Sequence, residues 1–321
     1  MIFITTDSIL NAIKEIACEV KVNEPMTAHT SFKIGGAADY LVSVMNIDQL
    51  IDLNKYVKEN NLTLRIIGNG SNLLISDSGL RGIVAKLEGE FSELVVSSEE
   101  LGVKERNEKL LTTHYSLLTG AGVPLTSACK FALQHSLAGM EFAYGIPGTV
   151  GGAVFMNAGA YGGEMKNIVT SVECFSRNDN QIITLSNEEC EFEYRHSRFM
   201  QGDLIILKAY INLNPAKSDE IRAKMEVFYG QRRDKQPLEY PSAGSVFKRP
   251  PGLFAGTLIE QSGLKGAQIG GAQVSEKHAG FIVNKGGATC KDVLDLVSHV
   301  QKVVKDKFDV ELECEIKISE G

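Results

Sequence analysis

The 321-residue sequence has no Trp, no run of basic residues, no long apolar stretch and no C-x-x-C motif. Each absence excludes something. Lys+Arg 33 against Asp+Glu 40 gives a formal net charge of −7, so nothing neutralises phosphates along a duplex and nucleic acid is not an expected partner. No segment approaches the ~20 apolar residues that span a bilayer, so no membrane partner is expected either. Asp7, Lys14 and Glu15 interrupt what would be the apolar core of a signal peptide. The six cysteines, Cys18, Cys129, Cys174, Cys190, Cys290 and Cys314, are widely scattered. Without secretory context they are expected to be reduced and partly buried. His29, His114, His135, His196, His278 and His299 lack metal-ligand spacing, and no metal is expected.

What remains is a globular composition, 43% hydrophobic and 23% charged, with length for about two domains. Glycine stands out: 31 residues, above the ~7% norm, with eight in 139–163 and ten in 244–287. Bulky apolar and specific polar residues are interleaved there, so these glycines are read as allowing close approach or positive φ rather than flexibility.

Ile9, Leu10, Ile13, Ile16, Ala17 and Val20 predict an amphipathic helix opening near Thr6 or Asp7. Helices are also expected over 47–60, 125–137 and from Lys217 to about Arg233, the last with Ile221, Met225 and Phe228 on one side. Strands are expected over 64–68, 83–87, 169–176, 181–185 and 203–213. Thr289 is placed as the cap of a helix bearing Val293, Leu296, Val297, Val300, Val304 and Phe308. Val310 to Ile318 alternates strictly, predicting a strand with Glu311, Glu313, Glu315 and Lys317 on its polar face. The mixture lacks a regular βαβ rhythm, which points to an α+β class with a boundary near residue 215.

Gly68-Asn69-Gly70-Ser71-Asn72 follows a strand, as a turn whose N–H groups form an anion-binding concavity would. It is not the dinucleotide fingerprint, because Leu73 stands where a third Gly or Ala is needed. No G-x-x-x-x-G-K-[ST] occurs, which argues against a P-loop nucleotidase. The loop has company: TSFKIGG before it, then GIPGTVGGA with NAGAYG, YRHSRF, and GSVFKRPPG with IGGAQVSEKHAGFIVN.

With these motifs, from about Pro25 to Ile318, the chain resembles the bacterial UDP-N-acetylenolpyruvoylglucosamine reductases. The resemblance implies a vanillyl-alcohol-oxidase type of FAD-binding domain with non-covalent FAD and a C-terminal substrate-binding domain. The chain then divides into an N-terminal helix (1–25), an FAD-binding domain of two α+β subdomains (26–215) and a substrate-binding domain (216–321). By analogy, Gly68, Asn69, Gly70, Ser71 and Asn72 hold the FAD pyrophosphate. Gly145, Pro147, Gly148, Gly152 and Ala153 lie against the isoalloxazine ring. The implied reaction passes a hydride from NADPH through FAD to the enolpyruvyl group of a UDP-sugar, in peptidoglycan precursor synthesis. A monomer in the bacterial cytoplasm is expected.

That chemistry needs a cation on the substrate carboxylate and a proton donor for C2. Arg195 matches the family's catalytic arginine, and a planar guanidinium suits a carboxylate. Arg198 is read as an ordinary solvated residue. Ser245 matches the proton-donating serine, with Lys248, Arg249 and Lys277 all open as its neighbouring cation. Glu315 matches the catalytic glutamate, with Glu313 held in reserve because alternation does not separate them. Tyr194, Lys235, Lys248, Arg249 and Lys277 are the expected substrate contacts. Two other readings stay open: a different oxidase or dehydrogenase on the same fold, which need not keep Ser245 and Glu315, and a non-catalytic flavin or sugar-nucleotide binder. No functional reading attaches to the charged 97–116 stretch.

Overall fold

The computed structural model describes residues 6–17, 19–105 and 108–320. Cys18 lies outside them. Side chains are described except at 6–7, 98–105 and 108–114, which leaves the His114 ring aside. Packing divides the chain into two units, neither continuous in sequence. The first takes residues up to 42, 57–85 and from 231 onward; the second takes 43–56 and 86–230. The break falls inside the helix Ser218–Lys235 rather than near residue 215. The reason is long-range pairing: residues 290–319 bond to Asn72, Leu73–Ile75 and Asp77, more than 200 positions earlier.

The first unit carries a four-stranded sheet in the order Glu19–Pro25, Ala37–Val44, Leu80–Leu87, Leu64–Ile67. The N-terminal helix Thr6–Ile16 buries Ile13, as its spacing requires. The largest core of this unit is built on the helix Cys290–Phe308, whose Val293, Leu296, Val297, Val300 and Val304 pack with Phe32, Ile34 and Leu74. Phe32 and Ile34 are the apolar members of TSFKIGG, so that motif is half core. The helix starts where the sequence places it. The Thr289 hydroxyl accepts a hydrogen bond from the Asp292 N–H at 3.0 Å, and the Asp292 carboxylate accepts one from the Thr289 N–H at 3.0 Å. A second carboxylate, Asp77 of the RIIGNGSNLLISD stretch, accepts from the N–H groups of Cys290 and Lys291 at 2.7 and 3.0 Å. It meets the positive end of the helix dipole there.

The expected strand over 310–318 is only partly formed. Cys314 makes an isolated bridge to Phe247, and ladder pairing is confined to Lys317–Ser319, parallel to Leu73–Ile75. The partner strand is three residues long, so no more of the segment finds a ladder. Leu312 and Ile316 are buried as alternation requires, but Ile318 is exposed.

The second unit is a six-stranded sheet. Gln181–Ser186, Val169–Ser176, Leu204–Pro215, Glu108–Gly120 and Leu94–Glu105 follow in order, with Leu137–Ala138 paired to the end of Leu204–Pro215. All pairings are antiparallel. The described residues of the charged 97–116 stretch thereby pair as two antiparallel strands, with Glu105 opposite Glu108. The helices Leu125–Gln134 and Val150–Phe155 also belong to this unit. Sheets dominated by antiparallel pairing, with helices set apart from them, fit the α+β class.

Cys129, Cys174, Cys190, Cys290 and Cys314 are free. Burial pushes the first three thiols up to about 12 and Cys290 up to about 11, so these are inert packing residues. The capping arrangement carries a prediction: Thr289→Ala should lower unfolding free energy by about 1 kcal/mol, and Thr289→Ser should restore most of it. Urea denaturation midpoints of the three proteins check this.

Candidate active site

The expected site residues fall in both units, and each group has its own framework.

In the first unit, Ser245 follows Gly244, whose φ of +78 turns the chain into an extended run. Ser245 forms an isolated bridge to Phe281, and the Val246 N–H donates to the Gly280 carbonyl at 2.9 Å. On the other edge, the Glu315 N–H donates to the Val246 carbonyl at 2.7 Å, and the Lys248 N–H donates to the Glu313 carbonyl at 2.8 Å. Ser245 and Glu315 are therefore brought together in one backbone framework, although they lie 70 positions apart in sequence.

The structure separates the three carboxylates that alternation leaves equivalent. The Glu311 side chain is 84% exposed and pairs with Lys305 at 3.3 Å. Glu313 is 71% exposed and pairs with Lys248 at 2.5 Å. Glu315 is half-buried. Glu315 is thus the least exposed of the three.

The loop of Gly68, Asn69, Gly70, Ser71 and Asn72 joins the same framework. The Asn72 side-chain amide donates to the Glu315 carbonyl at 3.2 Å, and the Lys317 N–H donates to the Asn72 carbonyl at 2.9 Å. Gly70 has a φ of +61, and a Cβ there would stand 2.2 Å from the His29 carbonyl oxygen. No other residue fits without moving 29–30. The TSFKIGG motif and the glycine loop are thus two sides of one close approach.

The cations left open from sequence are all engaged. Lys248 holds Glu313. Arg249 lies over the Phe254 ring at 4.4 Å. Lys277 donates to the Arg233 carbonyl at 2.8 Å and lies 3.7 Å from Glu239. Lys235 ends its helix exposed. Lys317, not singled out from sequence, is half-buried; burial and then the charge of Lys248 hold its ammonium below the usual lysine range.

In the second unit, Tyr194 and Arg195 form the tip of a two-residue turn closed by reciprocal bonds. The Glu193 N–H donates to the His196 carbonyl at 3.1 Å, and the His196 N–H to the Glu193 carbonyl at 3.2 Å. Arg195 has a φ of +55, uncommon for a residue with a long side chain. Its Nη2 donates to the Gly159 carbonyl at 3.1 Å, and its guanidinium carbon lies 5.3 Å from the exposed Tyr194 ring. Arg198 departs from expectation. It is tied to Asp203 by two bonds of 2.7 Å, which raise the guanidinium pKa and lower the carboxyl pKa.

The GIPGTVGGA segment opens the short helix Val150–Phe155, with the Thr149 hydroxyl accepting from the Gly152 N–H at 3.3 Å. Gly151 and Gly152 differ in purpose. A Cβ on Gly151 would press on Ala121 at 2.8 Å, so that glycine serves packing. A Cβ on Gly152 would meet only Thr149 Oγ1, at 3.6 Å. Gly152 and Pro147 are exposed, with Gly145 and Gly148 half-buried beside them, while Ala153 is buried. The open space at Gly152 is compatible with close approach of a planar ring system such as that of FAD. Tyr161 belongs to the NAGAYG motif. It stacks on Phe228 with centroids 4.7 Å apart and planes 3° from parallel. Among the described residues no cluster of three His, Cys, Asp or Glu side chains could hold a metal.

Comparison with known proteins gives the family. Residues 38–186 match the family model of an FAD binding domain, so the chain is a flavin-binding protein of the α+β class expected. Residues 236–319 match the model of the UDP-N-acetylenolpyruvoylglucosamine reductase C-terminal domain. The UDP-N-acetylenolpyruvoylglucosamine reductase of Caldanaerobacter subterraneus subsp. tengcongensis is 49% identical over 312 residues, 97% of each chain. That of Clostridium perfringens is 46% identical over 300 residues, 94% of this chain and 93% of the relative. The crystal structure of the Thermus caldophilus enzyme (MurB) superposes with a TM-score of 0.75 at 34% identity, covering 94% of this chain and 98% of that one. The chain belongs to the UDP-N-acetylenolpyruvoylglucosamine reductase family.

His278, in the IGGAQVSEKHAGFIVN motif, accepts a hydrogen bond at Nδ1 from the Gly280 N–H at 3.1 Å. Burial holds its pKa below the ordinary histidine value; Lys265 and Lys235 add to the depression, and a backbone hydrogen bond and Glu260 oppose it. As pH falls through about 6.5, the unfolded chain therefore takes up this proton before the folded one, and stability declines. His278→Gln should flatten that decline. Urea midpoints at pH 7.5 and 5.5 measure it, and equal slopes in both proteins would show that another group is responsible.

Proposed function

We propose that Ser245, Arg195 and Glu315 carry out the family's reaction in this chain: reduction of UDP-N-acetylglucosamine enolpyruvate to UDP-N-acetylmuramate with NADPH. The observation that carries the reading is family membership over nearly the whole chain; the three residues are assigned by their resemblance to the family's catalytic positions. FAD, when bound, supplies the chemistry of accepting a hydride from NADPH and delivering it to C3 of the enolpyruvyl group.

The chain's own residues do the rest. The Arg195 guanidinium binds the substrate carboxylate, orients it, and holds the negative charge that grows there as the C=C bond is reduced. Ser245 Oγ gives the proton that C2 must receive. A serine hydroxyl is a weak acid, so it depends on position; the bonds at Val246 and Phe281 supply it. Glu315 is read as the family's catalytic glutamate, held on the same framework by its backbone bond to Val246. Lys235, Lys248, Arg249, Lys277 and Tyr194 are read as contacts to the UDP diphosphate and sugar. Gly68 to Asn72 are read as the FAD pyrophosphate loop, and Gly145, Pro147, Gly148, Gly152 and Ala153 as the ring-facing segment.

The same reading assigns the 26–215 part of the chain to FAD and the 216–321 part to the substrate, a functional division that does not follow the boundaries of the two packing units, in a monomer in the bacterial cytoplasm. No helix among the described residues is long and apolar enough to cross a membrane.

Stopped-flow absorbance tests the assignment. The yellow protein should bleach with NADPH under anaerobic conditions and regain its colour when the enolpyruvyl sugar nucleotide is added. Ser245→Ala should bleach at the parent rate and recolour about 10²- to 10⁴-fold more slowly. Recolouring of Ser245→Ala at the parent rate would remove Ser245 as the proton donor. A parent protein that never recolours would contradict the whole reading.

A further inference from the structure

In the second unit, the stretch from Asn187 to Ser197 is fastened to the stretch from Phe155 to Lys166 by five side chain–backbone hydrogen bonds. The Asn187 amide donates to the Lys166 carbonyl at 2.9 Å, and Lys166 Nζ donates to the Phe192 carbonyl at 3.1 Å. The Asn157 amide donates to the Glu193 carbonyl at 2.9 Å. Arg195 Nη2 donates to the Gly159 carbonyl at 3.1 Å, and the Ser197 hydroxyl to the Phe155 carbonyl at 2.7 Å.

Asn157 is the centre of this fastening. It is fully buried and adopts a φ of +42, in the position after a helix end where Asn is tolerated. Its Oδ1 accepts from the Lys166 N–H at 2.9 Å, and its Nδ2 donates also to Glu164 Oε2 at 3.2 Å. An N–H on one side and a carbonyl and a carboxylate on the other leave only one orientation for the amide. It thereby spans two turn tips built on unusual backbone. One is Tyr194-Arg195, rooted at Glu193. The other is Tyr161-Gly162, both at positive φ, joining Gly159–Ala160 to Gly163–Glu164.

We infer that Asn157 is a positioning residue for Arg195: its buried amide pins the Glu193 carbonyl, at the root of the Arg195 turn, to the Gly159–Glu164 hairpin that receives the guanidinium. The inference rests on the reading of Arg195 as the carboxylate-binding arginine. Without the pin, the turn can rotate about Glu193 and His196, and the guanidinium loses its single presentation. A displacement of about 1 Å at such a group costs up to about 100-fold in rate.

Asn157→Gly suits the positive φ and removes only the side chain. Asn157→Asp keeps the Lys166 contact but loses both donors. Each variant that binds FAD should bleach with NADPH within about twofold of the parent rate and recolour with the enolpyruvyl substrate about 10- to 100-fold more slowly. The loss should appear in kcat more than in KM. Combined with Arg195→Ala, neither should slow recolouring beyond Arg195→Ala alone, because a residue acting through Arg195 has nothing left to position.

Losses that multiply in the double variant, or bleaching that slows equally, would mark Asn157 as a fold residue and overturn the inference. So would failure of both variants to bind FAD. Slow recolouring of Arg195→Ala beside parent-rate recolouring of Asn157→Gly would overturn the inference alone. Parent-rate recolouring of Arg195→Ala would overturn the reading beneath it.

Discussion

The first unit depends on one extended segment, Leu312 to Ser319, held along both edges by parts of the chain far away in sequence. Along one edge its Glu313 carbonyl and Glu315 N–H bond to Lys248 and Val246. Along the other, Glu315 and Lys317 bond to Asn72, and Lys317–Ser319 pairs with Leu73–Ile75. Leu312 and Ile316 anchor the segment in the core beneath. Burial of such side chains is worth roughly 1.5–3 kcal/mol each. Two stretches that bear the proposed chemistry and the glycine loop are therefore not separate features. They are neighbours in one hydrogen-bonded framework, and moving any of them moves the rest.

The second unit solves a related problem by other means. Its candidate arginine sits on a turn, where backbone ladders end, so side chains substitute for strands. Asn157 and Ser197 are both fully buried and each donates to a carbonyl across the gap. Buried amides and hydroxyls are costly unless every polar atom is satisfied. Here that requirement becomes directional, because only one arrangement satisfies Asn157. The backbone departs from common conformations at Asn157, Tyr161 and Arg195, all at positive φ without being glycine. Such clustering is characteristic of sites where the surroundings over-determine the geometry.

Much of this was legible in the residues. Thr289 announced its helix because capping is local, and helices 47–60 and 217–233 followed from spacing within a single element. The glycine loop and the TSFKIGG motif were legible as unusual. Their partnership was not, since the clash that forces Gly70 comes from His29 and appears only in three dimensions. The alternating 310–318 segment was legible as extended but not in its pairing, because a strand's ladder is set by the length of its partner. The three glutamates were equivalent by alternation; their exposure in the folded chain distinguishes them. Asn157 carried no signal beyond membership of NAGAYG, and the discontinuous units carried none, because a contact between residues 72 and 315 leaves no trace in either neighbourhood.

The central claim, that one cooperative framework holds the Ser245 and Glu315 stretches and the glycine loop, is tested most directly by native-state hydrogen exchange. The amides of Val246, Lys248, Glu315 and Lys317 should be protected to a similar degree, and protection should vanish at a common denaturant concentration. Exchange at Glu315 and Lys317 that is orders of magnitude faster than at Val246 and Lys248, with independent opening, would contradict it.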